Sequence, residues 1–117
     1  MKLVSNGSFD RLQQALAEEL IRTVKRELEG ADAPPELIEQ LSGSIAFSVA
    51  SLLDDVAGFE RNGEAVIPML TFLTGEDELE TAGGNSWMHE HVYRLLPSVL
   101  AEGAQNGKHA ANDAPDA

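Results

Sequence analysis

Residues 34–58, PPELIEQLSGSIAFSVASLLDDVAG, form the stretch that decides how this chain folds. Pro34 and Pro35 tolerate the first turn of a helix, and Gly58 is an expected stop signal. Between them, large aliphatic side chains recur at steps of three or four residues, the spacing of one helix face. They are Ile38, Leu41, Ile45, Val49, Leu52 and Val56. The stripe predicts a central helix that buries this face, while small residues between positions 42 and 51 would let another helix approach closely.

A further helix is predicted on each side of this stretch. Residues 8–29 repeat apolar side chains at helical spacing and are followed by Gly30, a typical residue just beyond a helix end. Further along, Asn85 or Ser86 is expected to cap a third helix. The apolar stripe of this third helix comprises Met88, Val92, Leu95, Leu96 and Val99.

Between the central and third helices, Asn62 and Gly63 separate two β-prone segments. Asn-Gly is the strongest short hairpin signal, because a two-residue type I′ turn needs positive φ at both central positions. We predict strands at about 57–61 and about 64–74. The second strand is longer and mostly apolar, so its far half needs another partner: either the N-terminal segment Lys2–Val4 or a second subunit.

These elements predict one α+β domain over residues 1–102. It has two N-terminal helices, a β-hairpin that the N-terminus or a second subunit extends to a small sheet, and one C-terminal helix. The acidic segment TGEDELETAGGNS, residues 74–86, is interpreted as a loop. Residues 103–117 lack large apolar side chains and are expected to form a disordered tail, because they cannot offset the entropy of ordering.

Composition limits the classes of partner. Twenty acidic residues against eight basic ones give a net charge of −12, which repels nucleic-acid phosphates and anionic membrane surfaces. We therefore expect no nucleic acid and no membrane as a partner, whereas a basic protein fits the charge. Neither a secretory signal nor a long apolar span is recognisable, so a cytoplasmic location is expected. A domain of this size buries a modest share of its surface, which favours a homodimer.

The strongest candidate for a ligand or partner patch consists of Trp87, His91 and Arg94. Helical spacing places neighbouring members on one face of the third helix. Trp and Arg are enriched among the residues that dominate binding energy at interfaces. The competing interpretation is that Trp87 closes the edge of the core.

A second candidate site combines Asp54 and Asp55 with a histidine of the third helix, His89 or His91. Carboxylates and an imidazole can perform acid–base chemistry or hold a metal ion. However, histidines two residues apart point in different directions on a helix, which argues against a metal site shared by both. We therefore assign no catalytic, cofactor-binding or metal-binding residue, and we expect no cofactor.

The sequence thus contains no motif that identifies a function, and it has no cysteine for thiol chemistry. Three hypotheses are compatible with it. The first is a small acidic interaction module, acting as a homodimeric accessory or regulatory protein. The alternative is a small-molecule or metal-dependent enzyme that uses Asp54, Asp55 and a histidine of the third helix. The second alternative is an acidic mimic that binds a basic protein through its carboxylates.

Overall fold

The computed structural model describes the backbone of residues 1–113 and the side chains of residues 1–102. Along the chain, its elements are β1 (Lys2–Val4), α1 (Phe9–Gly30), α2 (Pro35–Leu53), β2 (Phe59–Arg61), β3 (Glu64–Val66), β4 (Phe72–Gly75), β5 (Glu78–Glu80) and α3 (His89–Asp113). The three helices pack against one another, and the strands form two small sheets. The predicted α+β class is therefore confirmed.

Helix α1 is present as predicted. Its most deeply buried row lies one residue after the predicted aliphatic stripe, which contains Leu12, Leu16 and Leu20. That row comprises Phe9, Gln13, Ala17 and Ile21. Leu16 and Leu20 lie beside it and pack against the core as partly buried side chains. The polar residue Gln13 is fully buried because its amide is hydrogen-bonded at both ends, as described below.

The orientation of α2 differs from the prediction. The residues that α2 buries are the small ones, Ser42, Gly43, Ala46, Ala50 and Ser51. Its aliphatic stripe lies on the outer side, where Ile45, Val49 and Leu52 are 38%, 37% and 42% exposed. The expectation that the stripe would be buried is therefore wrong for the single chain.

Close approach of α3 explains this orientation. A Cβ atom at Gly43 would lie 2.9 Å from both Leu96 Cδ2 and Tyr93 Cε1, so α3 packs where α2 has no side chain. Ala46 and Ala50, both 0% exposed, continue the same contact surface. The prediction that small residues of α2 receive another helix is confirmed.

The resulting hydrophobic core is small. Its buried members are Ala17, Ile21, Ala46, Ala50, Met88, Val92, Leu95 and Val99. Three of these eight side chains are single methyl groups. Hydrophobic stabilisation scales with the apolar area removed from water. The core therefore contributes less to the free energy of folding than eight larger side chains would.

Strands β2 and β3 confirm the predicted hairpin. They pair antiparallel, and the turn residues Asn62 and Gly63 have φ angles of 53° and 82°, as a type I′ turn requires. All six strand residues are exposed. The prediction of one strand over residues 64–74 is wrong, because β3 ends at Val66. Pro68 follows shortly and lacks the N–H that a continuing ladder would need.

A three-stranded sheet with the order β1-β5-β4 replaces the predicted loop and long strand. β4 and β5 pair antiparallel through a turn in which Asp77 has a φ of 61°. The interpretation of residues 74–86 as a loop is therefore wrong in its first half. β1 pairs parallel to β5, so the N-terminal segment does join the sheet that contains β4, although not as its direct neighbour.

Helix α3 begins at His89, later than predicted, so neither Asn85 nor Ser86 directly precedes its first residue. The prediction that Ser86 caps α3 locally is wrong, because its side chain donates to Asp54, the residue after α2. α3 continues to Asp113, past residue 103, where the predicted tail begins; residues 114–117 lie outside the described part. Among the described residues, none of the helices is long and apolar enough to cross a membrane.

Candidate functional site

Asp54 lies at the junction of α2 and α3. It directly follows the last residue of α2 and is only 1% exposed. Its neighbour Asp55 adopts the left-handed conformation, with a φ of 60°. The N–H of Val56 then bonds to the carbonyl of Ser51, a contact of the Schellman motif that ends helices. The two carboxylates predicted as a pair therefore differ in position: Asp55 closes α2, while Asp54 is buried.

The carboxylate of Asp54 accepts hydrogen bonds from Ser86, which precedes α3, and from His89, the first residue of α3. Ser86 Oγ donates to Asp54 Oδ1 at 2.5 Å. His89 donates to Asp54 Oδ2 through its backbone N–H at 2.8 Å and through Nδ1 at 2.6 Å. The first N–H groups of a helix have no partner inside it. Asp54 therefore caps α3 from a distant part of the chain, with its negative charge at the positive end of the α3 dipole.

Two opposing effects act on the pKa of Asp54. Burial by itself raises this pKa, because desolvation disfavours the charged carboxylate. The hydrogen bonds from His89, Ser86 and the backbone N–H of Met88 lower it, because they stabilise the anion, and the net pKa lies below the ordinary value of 3.8. Asp54 is therefore ionised at neutral pH despite being buried.

The contact with Asp54 orients the imidazole of His89. Because Nδ1 donates to the carboxylate, Nε2 is left as the basic atom of the neutral ring. The side chain of His89 is 20% exposed, and its ring meets Phe47 edge-on at a centroid distance of 5.9 Å. A base oriented by a carboxylate is one component of acid–base catalysis. Ser86, however, donates to Asp54 and so is not activated by His89.

The geometry does not support the hypothesis that this site binds a metal ion. Within residues 1–102, whose side chains are described, no group of three or more His, Asp or Glu side chains is arranged to hold a metal ion. Asp54 reaches His89, whereas His91 bonds to a different carboxylate, that of Asp10, at 3.2 Å. The structure thus separates the two histidines, as the helical spacing predicts.

The predicted patch of Trp87, His91 and Arg94 is partly assembled. Arg94 Nη2 lies 2.8 Å from His91 Nδ1 and also donates to Gln14 Oε1 at 2.8 Å. Together with the contact from His91 to Asp10, these bonds join α3 to α1. The polar members of the patch therefore already have protein partners, and a role in binding a ligand stays a prediction.

Trp87 is held separately, by residues of α1. Its ring packs against Phe9 at a centroid distance of 6.2 Å, and its backbone N–H donates to Gln13 Oε1 at 3.1 Å. Gln13 Nε2 in turn donates to Asp10 at 2.9 Å. Gln13 could be recognised in the sequence only by its place next to the apolar stripe of α1. Ser86 could not be recognised as a partner of Asp54, because a serine before a helix is typical of a local cap.

The lowered pKa of Asp54 predicts a specific acid sensitivity. A carboxyl whose pKa is lower in the folded than in the unfolded state stabilises the fold above the unfolded pKa, and this contribution is lost as pH falls through the folded pKa. As the pH decreases below 3.8, we expect the free energy of unfolding to decrease less steeply for Asp54→Asn than for the native chain. Urea unfolding of the native chain and of Asp54→Asn across this range measures the difference. Equal slopes for Asp54→Asn and the native chain would contradict the prediction.

A second feature is the exposed face of α2. We define the outer ridge as Ile38, Leu41, Ile45, Val49 and Leu52. The solvent side of a helix normally carries charged residues, yet no ionisable residue occurs between Glu39 and Asp54. Of these five residues, Ile45, Val49 and Leu52 are exposed, whereas Ile38 and Leu41 are half-buried. Exposed apolar surfaces mark sites of interaction when they are large.

The fold and these features define the class of protein as a small α+β domain with a buried carboxylate at a helix junction and an exposed apolar helix face. Comparisons with family models, curated proteins and solved structures found no match to this chain. Its function is therefore argued from the Asp54 junction and the outer ridge.

Proposed function

We propose that the protein is a homodimeric interaction module with an accessory or regulatory role in the cytoplasm. In this proposal, the outer ridge of one copy packs against the outer ridge of a second copy. The observation that carries it is the reversed orientation of α2, which buries its small residues and exposes its large aliphatic ones. Exposed aliphatic rows cost free energy in water, and a second copy removes that cost by covering them.

The size of the core supports this proposal. A chain of 117 residues buries only about two thirds of the surface that its unfolded form exposes. Here the buried apolar cluster includes Ala17, Ala46 and Ala50, which contribute little area. Covering the outer ridge adds longer aliphatic side chains to the buried set, each stabilising by about 1.5–3 kcal/mol if buried completely from full exposure. Since the ridge is already partly covered, the gain for each side chain is smaller than this.

The distribution of charge also favours a second copy as the occupant. A net charge of −12 opposes self-association through most of the surface. The outer ridge is an exception, because the segment between Glu39 and Asp54 carries no charge. Two identical acidic chains can therefore meet there without placing like charges in the centre of the contact. The same lack of charge gives a basic partner no advantage on this face.

The outer ridge alone offers less area than a standard dimer interface, so the proposed interface must also include the hairpin. α2 has 19 residues, so it is about 28 Å long and presents a strip about 10 Å wide. A standard interface covers about 800 Å² of each partner, and the strip alone is smaller than this. Phe59, Val66 and Ile67 expose further apolar surface on and after the hairpin. Isolated two-stranded hairpins are marginally stable, so contact with a second copy would stabilise this one.

Sedimentation equilibrium tests the proposal. The chain mass is 12.6 kDa, and we expect twice this value at micromolar concentration, with dissociation on dilution as mass action requires. A constant mass of 12.6 kDa up to about 100 µM would contradict the proposal, because it would place any dissociation constant well above that concentration.

Two other functions have weaker support. The contact between Asp54 and His89 favours an enzyme that uses His89 Nε2 as a base. However, Asp55 lies apart from this contact in the turn that ends α2, and the bonds of Asp54 are accounted for by capping α3. The net charge favours the acidic mimic, whose signature is binding to a basic protein that weakens steeply with salt.

A further inference from the structure

The spacing of the outer ridge has a symmetry that bears on how two copies meet. From Ile38 the steps to the next members are three, four, four and three residues, so the pattern reads the same in both directions from Ile45. A two-fold axis brings a surface patch against itself. If the two α2 helices run antiparallel, Ile45 meets its own copy, Leu41 meets Val49, and Ile38 meets Leu52.

On this basis we infer that the second copy packs its α2 antiparallel to the first, with the two-fold axis at Ile45. The inference rests on the proposed homodimer and adds the direction and the centre of its interface. All five members of the outer ridge then contact an aliphatic partner in the second copy. A shift of one residue along the helix axis would move these contacts out of register.

Charge at the two ends of α2 does not distinguish the two directions, because both ends are acidic. The N-terminal end carries Glu36 and Glu39, and the C-terminal end is followed by Asp54, Asp55 and Glu60. The first basic residue after α2 is Arg61, in the hairpin.

The helix dipoles favour the antiparallel direction. Antiparallel packing sets the positive end of each α2 dipole beside the negative end of the other, whereas parallel packing places like ends side by side. The direction is therefore determined by the dipoles, and the register is determined by the spacing of the outer ridge.

Spin labels can measure the direction, because the chain has no cysteine of its own. Single labels are placed through Ser48→Cys and Glu36→Cys, both at exposed positions of α2. Position 48 lies within one helical turn of Ile45, so its two labels are within about 20 Å for either direction of packing. Position 36 lies nine residues from Ile45. Its two copies are about 27 Å apart along the axis if the helices are antiparallel, and within about 20 Å if they are parallel.

We expect electron paramagnetic resonance to detect coupling between subunits at position 48 and a distance of about 25–35 Å at position 36. Dilution with unlabelled protein identifies the coupling as intersubunit. Any other distance at position 36, together with coupling at position 48, overturns the antiparallel arrangement and leaves the homodimer intact. Absence of coupling at position 48 in a folded, labelled protein overturns the homodimer and this inference with it.

Discussion

Replacing Asp54 by alanine is expected to lower the free energy of unfolding by about 3–5 kcal/mol, a large part of the roughly 5–15 kcal/mol of a typical domain. The substitution removes the acceptor of the Ser86 hydroxyl and of two N–H groups of His89. Their donors remain in a site that is shielded from water, so each loses a hydrogen bond without regaining full hydration. The N-terminus of α3 also loses its cap.

Urea unfolding at pH 7, followed by circular dichroism at one fixed protein concentration, measures this loss. The concentration must be fixed because the proposed dimerisation would add to apparent stability. The control is Asp55→Asn, which changes the adjacent carboxylate and keeps a residue that tolerates the left-handed conformation at a φ of 60°. We expect the control to differ from the native chain by less than about 0.5 kcal/mol. A loss below about 0.5 kcal/mol for Asp54→Ala would contradict a stabilising role of this cap.

The second large effect is expected from Val49→Glu, which should raise the dissociation constant of the proposed dimer at least about 1000-fold. Val49 lies one turn from the proposed axis, so a two-fold dimer would bury two new carboxylates among aliphatic side chains. Desolvation of an unpaired ion costs several kcal/mol, and about 4 kcal/mol corresponds to the stated factor. The isolated fold should change little, because Val49 is 37% exposed in the single chain.

The matched control is Ala15→Glu, which adds the same charge at an exposed position of α1. Both variants have a net charge one unit more negative than −12, so a general effect of charge would weaken both dimers equally. We expect sedimentation equilibrium to give a monomer for Val49→Glu and a dimer for Ala15→Glu. Unchanged dimerisation of a folded Val49→Glu variant would exclude the outer ridge as the interface.

Local signals in the sequence predicted the elements whose cause is local. The Asn62-Gly63 turn requires positive φ at both residues, and few other pairs accept this. The helical spacing of aliphatic residues likewise predicted α1, α2 and α3. The bounds were less accurate: α2 ends at Leu53 because Asp55 adopts a conformation for which glycine is the usual residue. Strand β5 was missed because its acidic residues are typical of a solvated loop.

The candidate site was foreseen only in part. Asp54 and His89 were selected because carboxylates and imidazoles carry chemistry, and they do meet. Their relation as helix cap and capped residue could not be predicted, because they are far apart in the sequence and capping rules describe neighbours. Ser86 was assigned to the nearest helix for the same reason.

The central stretch, residues 34–58, shows most clearly where sequence and tertiary structure differ. By itself the sequence determined that this stretch is a helix with an aliphatic row and a row of small residues. It could not determine which row faces the core, because both rows have helical spacing and the hydrophobic effect has no direction. Tertiary structure decided this. Side chains of α3 occupy the space that a Cβ atom of Gly43 would fill, so the small residues face inward and the aliphatic row lies on the outer side.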